Sequence, residues 1–526
     1  MSVKKRVLLI NPYYSFEEYP APPLGLVSLA TFIKEQGHEV KILDFVVSKY
    51  NRDNISKELK QFKPDFAGAT AVTMNINEAL RILKDIKTLD SLIKTIIGGP
   101  HATFDADNIL KNNSEIDFIV RREGEFTIKD LLASKDPYSK NIPGISFSQD
   151  GIITHNDERE FIPHIDTLPL PDYSLINTGK YKALGTSINM ITSRGCPFPC
   201  IFCVGSKMVG NKVRYLSVDK VVSMFLQLAH MGFKQINIAD DLFTSHKKRC
   251  IEICDEIINR NIQHVWTAFA RVDSIDKELL QKLKQAGCTT LCFGIESANE
   301  NILKTVKKKI NREKIERAFT LCNETGIIPM ASYILGLPGE TKDTIKETLA
   351  YADQLSEFYG FHILAPFPGT DVYMHSKNYN VNILHKDWDK YDANHVVLQQ
   401  NGITSDEIIQ VFQKFYKDIQ KYVTGVCNKY NSENSITESE MYMVYNIEKT
   451  IIVQNLLMRD TIERFNSSIY SDSEQSNIEQ FINFLINDKQ LQKDHTLHDP
   501  LIIKTVEELF TAGALTIVGN RVVWCT

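Results

Sequence analysis

The chain has 526 residues, enough for three or four domains with cores of their own, which excludes a peptide hormone or a disulfide mini-protein. Lys and Arg total 60 against 65 Asp and Glu, a formal charge of −5 with no strongly basic block, so nucleic acid is not an expected partner. With 43% hydrophobic and 24% charged residues, the composition is that of a folded enzyme rather than a disordered chain.

Met1 to Arg6 is basic but runs at once into Val7–Ile10, too short for a signal-peptide core, and reads as a first strand. No apolar run approaches the roughly 18 to 20 residues of a membrane helix, so a cytoplasmic protein without a transmembrane segment is expected. Up to about residue 135, Val7–Ile10, Val40–Phe45, Phe66–Val72, Thr95–Ile97 and Phe118–Val120 read as strands. Between them, Leu26, Leu29, Phe32 and Ile33, and later Ile76, Ala79, Leu80, Leu83 and Ile86, mark the buried stripes of helices. Such alternation predicts a doubly wound, Rossmann-like parallel sheet over residues 1–140. Its ligand loops belong at the carboxyl ends of the strands: Asn11-Pro12, Thr70 to Asn75, Gly98-Gly99-Pro100-His101 and Glu123-Gly124-Glu125.

Residues 141–185, with the Pro-punctuated stretch Pro163 to Pro171, read as a linker. From residue 186 to about 380 the alternation resumes, with strands near Ile188–Ile191, Gln235–Ala239, Val265–Ala270, Thr290–Gly294, Pro329–Leu335 and Phe361–Leu364. Ser217 suits a helix N-cap, and Gly232, Gly287, Gly326 and Gly360 suit helix ends. Six β/α units make a partial barrel of the (β/α)6 kind. Residues 381–526 read as mainly helical, a possible cap over the barrel mouth, closing with a small hairpin around Gly519-Asn520.

None of the ten cysteines precedes Cys196, and Cys196, Cys200 and Cys203 crowd into Ser193-Arg194-Gly195-Cys196-Pro197-Phe198-Pro199-Cys200-Ile201-Phe202-Cys203. That clustering suggests a metal site in a reducing compartment. Three thiolates from one loop can ligate three irons of a cubane and leave the fourth free. A structural zinc ion would want a fourth protein ligand, for which His230, His246 and Cys250 are the nearest later candidates, without a tidy second knuckle. Cys250 with Cys254, and Cys288 with Cys292, read as buried thiols.

The C-x3-C-x2-C loop resembles the signature of the radical S-adenosylmethionine enzymes. The resemblance implies a [4Fe–4S] cluster on Cys196, Cys200 and Cys203, with S-adenosylmethionine chelating the open iron and Phe202 beside its adenine, or else simply in the core. It continues in order through Asp240-Asp241-Leu242-Phe243-Thr244, Arg271, Gly294-Ile295-Glu296-Ser297 and Gly336-Leu337-Pro338-Gly339-Glu340. On that basis Asp240, Arg271, Glu296, Gly336 and Pro338 are candidates for holding the ammonium, the carboxylate and the adenine edge of the cofactor. Helix capping and plain turn formation are the alternatives at these positions.

The doubly wound sheet ahead of that barrel, with Pro22-Pro23-Leu24-Gly25-Leu26 and Ile97-Gly98-Gly99-Pro100-His101, resembles the cobalamin-binding domain of the B12-dependent class. The implied cofactor residues are Asn11, Gly25, Thr70, Thr73, Gly98, Gly99, His101 and Glu125. No Asp-x-His-x-x-Gly occurs in residues 1–140, so the cobalt should lack a lower imidazole ligand, and His101 should line the pocket. A Rossmann-like domain used only for docking is the rival. The implied activity is methylation of an unactivated carbon of a small-molecule or peptide substrate, with ferredoxin or flavodoxin as electron donor. The alternatives are oxidation or ring closure without methyl transfer, as in proteins like the anaerobic magnesium-protoporphyrin monomethyl ester cyclase with its similar Pro366 to Thr370 run, and a cobalamin- or redox-sensing protein.

Overall fold

The computed structural model describes residues 4–14, 20–432, 436–459, 461–468, 477–492 and 498–525. Its first sheet holds seven strands: β1 (Arg6–Asn11), β2 (Glu39–Asp44), β3 (Phe66–Thr70), β4 (Lys94–Gly98), β5 (Phe118–Val120), β6 (Ile145–Gln149) and β7 (Ile152–His155), ordered β2-β1-β3-β4-β5-β6-β7. The first five run parallel, and β6 and β7 add an antiparallel edge. Strand order reverses between β1 and β3, where an open α/β sheet leaves a crevice at its carboxyl edge. Both faces are buried: Val7 and Leu9 pack under the helix Leu24–Glu35, and Leu8 and Ile10 under the helices Arg52–Phe62 and Ile76–Leu89. A strand covered on both sides reads as a continuous apolar run, as Val7–Ile10 does.

The segment expected as a linker thus begins with two strands of the first sheet. Asp150 and Gly151 join β6 to β7 with φ of 52° and 78°, the left-handed pair that a tight hairpin turn requires.

The second sheet follows with β8 (Ile188–Met190). Next come two two-residue strands, β9 (Ser193–Arg194) and β10 (Arg214–Tyr215), which pair only with each other. β11 (Ile236–Ile238), β12 (Trp266–Ala270), β13 (Cys288–Glu296), β14 (Ile328–Leu335) and β15 (Tyr359–Ile363) complete a six-stranded parallel sheet in the order β15-β14-β13-β12-β11-β8. Because β8 and β15 stand at opposite edges, the barrel is partial. Gly360, expected to end a helix, lies inside β15, since that strand begins at Tyr359. Outward-facing Trp266, Leu291 and Tyr333 are buried beneath helices, whereas Phe269, Cys292 and Met330 form one register row on the inner face, where Phe269 and Met330 stay exposed.

One hydrophobic core runs from Leu26 and Phe32 through Ile165, Tyr173 and Ile176 to Ile188, Met224 and Trp266, so the two sheets form a continuous body. The segment that reaches the barrel mouth comprises residues 366–400, with the hairpin β16 (Val381–Ile383) and β17 (Leu398–Gln400). Beyond it, the helix Ser405–Asn431 packs Phe415 against Tyr359 and Phe361 (ring centroids 5.6 and 5.1 Å), on the outer side of β15 in the place of a sixth barrel helix. Among the described residues no helix is long and apolar enough to cross a membrane.

The closing hairpin, Leu515–Val518 with Arg521–Trp524, returns to the start of the barrel, where the Gly179 N–H donates to the Cys525 carbonyl at 2.9 Å. A Cβ on Gly179 would stand 2.5 Å from the Ala514 carbonyl oxygen. Gly179→Ala is therefore expected to cost about 1–3 kcal/mol and to expose the C-terminal hairpin to protease, through overpacking against rigid backbone. Gly425→Ala, in a helix with open space around it, should be neutral or stabilise by up to about 1 kcal/mol. Thermal unfolding of the two variants checks the contrast.

Candidate functional site

The three cysteines occupy the turn between β9 and β10, at the carboxyl end of β8. Gly195, with φ of 108°, begins this turn; a Cβ there would meet the Lys212 carbonyl oxygen at 2.5 Å, so only glycine fits. The Cys196 N–H donates to the Gly210 carbonyl at 3.1 Å and the Ile201 N–H to the Val306 carbonyl at 3.2 Å, fixing the loop at both ends. Burial pushes the Cys196 and Cys200 thiols up, against the opposing pull of Arg271 and Lys308. Solvent reaches Cys203, yet protein surrounds it closely enough that burial pushes its thiol up to about 11. Free thiols here are poor nucleophiles, and coordination to a metal centre is what would remove their protons.

Asp240 is buried, and the loop engages both of its oxygens: one accepts from the Thr192 and Ser193 N–H groups at 2.5 and 3.2 Å, the other from the two hydroxyls at 2.6 and 2.7 Å. It therefore acts on the stem of the cysteine loop. Its neighbour Asp241, which the sequence did not single out, lies beside the cysteine loop: a Cβ on Gly205 would lie 3.0 Å from its Oδ1 and 3.5 Å from the Cys203 sulfur. Arg249, also missed, is buried and donates to the Thr192 and Leu216 carbonyls at 2.9 Å each.

Arg271 lies with its guanidinium 3.6 Å from the ring centre of Phe198, inside the cysteine loop, and is paired to Asp273 at 3.0 Å. Glu296 closes β13 at φ of 67° and binds Lys308 at 2.7 Å, with both side chains almost withdrawn from water. A Cβ on Gly294 would collide with that pair, at 2.3 Å from the Glu296 carboxylate oxygen, which explains the glycine two residues earlier. Phe202 is half-buried and packs on a cluster containing Ile201, Ile302 and Leu337, so the cysteine loop and the Gly336–Glu340 turn share one apolar contact.

In that turn Glu340 is fully buried. Its Oε2 accepts from the Gly336 and Leu337 N–H groups at 2.7 and 3.1 Å, and its Oε1 has no partner. Gln400 completes the clamp: it accepts from the Gly339 N–H at 3.1 Å and donates to the Leu337 carbonyl at 3.0 Å. Four backbone polar groups of the turn are thus satisfied internally, and Gly336 and Pro338 are held in a fixed frame.

Between the two sheets lies a cleft of about 280 Å³. Gly25, Thr70, Gly98, Gly99 and Glu125 line it, as do Arg194, Met208 and Val209 from around the cysteine loop. Gly25 presents open space, with no heavy atom within 4 Å of a Cβ position, and Gly99, at φ of 96°, packs directly on the Ala71 backbone. An apolar, glycine-walled cleft beside the sheet's switch point fits a bulky flat cofactor approaching the backbone.

Three expected residues lie off this wall. Asn11 donates to Asp44 at 2.8 Å, and Asp44 accepts from Tyr181 at 2.6 Å, so Asn11 serves an internal network. His101 is buried against Trp388 (ring centroids 4.9 Å) with Nδ1 at 3.2 Å from the Thr73 hydroxyl, so His101 and Thr73 face the 366–400 segment instead of the cleft. Among the described residues the cleft lining contains no histidine.

Across the cleft floor run two buried ion pairs and a third. Glu123 accepts from Arg194 at 3.0 Å and from Arg214 at 2.9 Å, and Glu125 accepts from Arg194 at 2.7 Å. Burial alone would raise the Glu123 carboxyl, but the Arg214 hydrogen bond and the Arg194 charge outweigh it and hold it below the usual carboxylate range.

Residues 190–352 match the radical SAM superfamily model and residues 18–132 the B12 binding domain model. An uncharacterised methyltransferase of Pyrococcus horikoshii is 34% identical over 426 residues, covering 79% of this chain and 92% of that protein. The chain belongs to the cobalamin-dependent radical S-adenosylmethionine enzymes. Its cofactors are accordingly a [4Fe–4S] cluster, S-adenosylmethionine and cobalamin. The anaerobic magnesium-protoporphyrin IX monomethyl ester cyclase of Rubrivivax gelatinosus is 29% identical over 432 residues, 78% of this chain and 77% of that one. In fold, the cobalamin-dependent radical enzyme OxsB aligns over 97% of this chain and 84% of its own at a TM-score of 0.68 and 19% identity. The methyltransferase TsrM of Kitasatospora setae aligns over 72% and 77% at a TM-score of 0.64 and 20% identity.

Glu340 allows a test of the turn's electrostatics. Burial pushes its carboxyl up to about 8, against the two N–H bonds that favour the charged form. Between the ordinary carboxyl range and that value the folded chain holds a proton that the unfolded chain has lost, so stability falls as pH rises across the window. Glu340→Gln keeps the acceptor for Gly336 and Leu337 and removes the ionisation. The melting temperature of the variant should be flatter than that of the parent between about pH 5 and pH 8; identical slopes would show that Glu340 does not hold the proton.

Proposed function

We propose that this enzyme methylates an unactivated carbon of a small-molecule or peptide substrate. The observation that carries this reading is the shared wall: Arg194, Met208 and Val209 flank the cysteine loop and also line the cleft of the B12-binding domain, so the two cofactors would face one reaction space. When bound, the cluster supplies the electron that splits S-adenosylmethionine into methionine and a 5′-deoxyadenosyl radical, and cobalamin supplies the methyl group.

The chain's own part is positioning and exclusion of water. Cys196, Cys200 and Cys203 would hold the cluster, with Asp241, Arg271 and the Glu296–Lys308 pair around it to meet the charged ends of the amino-acid moiety. Phe202 and the clamped Gly336–Pro338 turn would receive the adenine. The inner barrel row of Phe269, Cys292 and Met330 leaves apolar room beneath for the substrate carbon. We take an electron donor of the ferredoxin or flavodoxin kind, and a cytoplasmic, reducing setting, as part of this reading.

Support for methylation comes from the 34% identity to the Pyrococcus horikoshii methyltransferase over most of its length. Ring closure is the second reading, supported by the 29% identity to the cyclase. The Pro366–Thr370 run packs beside the cysteine loop, with Lys207 donating to the Gly369 carbonyl at 2.8 Å. Anaerobic reconstitution with S-adenosylmethionine and dithionite separates the readings: methylation predicts 5′-deoxyadenosine and S-adenosylhomocysteine together, whereas cyclisation yields the first alone and a sensor yields neither. Cys200→Ala should lose cluster absorbance and 5′-deoxyadenosine together, and a variant keeping both would overturn the ligand assignment.

A further inference from the structure

We infer that Arg194 is a positioning residue that couples occupation of the cobalamin cleft to the cluster loop, so that the two cofactor sites act as one unit. The inference rests on the cofactor assignment above. Its geometry begins at the loop after β5, where Glu123 and Glu125 both line the cleft. The Arg194 guanidinium forks between them, one nitrogen 3.0 Å from Glu123 and another 2.7 Å from Glu125, and it lines the cleft as well. Two residues further on is Cys196. A group seated in the cleft therefore presses on carboxylates that are tied to the stem of the cysteine turn, Glu125 through Arg194 and Glu123 through Arg194 and Arg214.

The surroundings make this link stiff. Arg194 and Arg214 are directly opposed in the β9–β10 pair, an arrangement that repels unless anions compensate it. Glu123 compensates both, and its Oε2 also accepts from the Ile162 N–H at 2.8 Å. The four side chains are between 5% and 15% exposed, so the charges cannot relax into water when one of them shifts. A bidentate guanidinium also transmits orientation, which a single ammonium at the same place would not. Ordering the loop by filling the cleft lowers what remains to be ordered when S-adenosylmethionine binds, and this gives positive coupling that is reciprocal by thermodynamic necessity.

The experiment measures S-adenosylmethionine affinity by equilibrium dialysis on anaerobically reconstituted protein, with and without hydroxocobalamin, omitting reductant and substrate so that no turnover occurs. For the parent chain, hydroxocobalamin should tighten binding by about fivefold or more. Arg194→Lys keeps the charge and loses the fork. In protein saturated with iron and hydroxocobalamin, its affinity ratio should drop to within about twofold of one. Glu125→Gln, which removes one arm and leaves the Glu123 pairs, should reduce the ratio in the same direction and serves if the lysine variant does not fold. The Mössbauer spectrum of the oxidised 57Fe cluster, which does not exchange electrons with cobalt(III), should change on adding hydroxocobalamin in the parent and not in Arg194→Lys. A purely structural role would lower cofactor content or melting temperature and leave the ratio intact. A parent ratio near one, or variants that keep the full ratio, would overturn the inference. Failure of methyl transfer would not, since this measurement involves no reaction.

Discussion

The loop that carries Cys196, Cys200 and Cys203 is held by charge withdrawn from water. Arg194 and Arg214 on the loop's stem meet Glu123 and Glu125 from the first sheet, and Asp240 and Arg249 grip Thr192 just before them. Such networks add little net stability, because the cost of desolvating each group offsets most of the attraction. What they contribute is geometry. Any displacement of the loop leaves a buried charge without its partner, at a cost of several kcal/mol, so the cleft and the loop keep a fixed relation.

That constraint explains the glycines of the site better than conformational freedom alone. Gly195 lets the turn leave the stem against the Lys212 carbonyl, Gly294 leaves room for the Glu296–Lys308 pair, and Gly99 lets the β4 turn pack on Ala71. Each sits where a side chain would strike backbone or a buried ion pair, and each borders either the cleft or the cysteine loop. Close approach of main chain or of a buried ion pair therefore shapes both the cleft and the surroundings of the cysteine loop.

The architecture was legible where the physics is local. Alternation of apolar runs with helical stripes located both sheets, and the C-x3-C-x2-C spacing located the loop before β10, because three cysteines that share one turn stand close together in sequence. Charge pairing across the chain was not legible. Glu123 and Arg194 are 71 positions apart and neither stands out alone. Asp240 read as a ligand for the cofactor because a carboxylate at a strand end looks the same whether it faces out or caps its own loop. His101 followed a glycine turn into what should have been the pocket, and its packing on Trp388, from a segment 287 positions later in the chain, together with its contact to Thr73, turns it elsewhere. The β6–β7 hairpin did carry a signal, since the Asp150-Gly151 pair between two short apolar runs is a turn sequence that the prolines nearby obscured.

In the proposed enzyme, three thiolates from one loop would leave an iron open to an incoming cofactor. Mössbauer spectroscopy of protein reconstituted with 57Fe reads this directly. On adding S-adenosylmethionine, one iron site of the four should shift to a higher isomer shift as it takes nitrogen and oxygen donors, with the other three unchanged. Four equivalent sites that stay equivalent after the addition would contradict it.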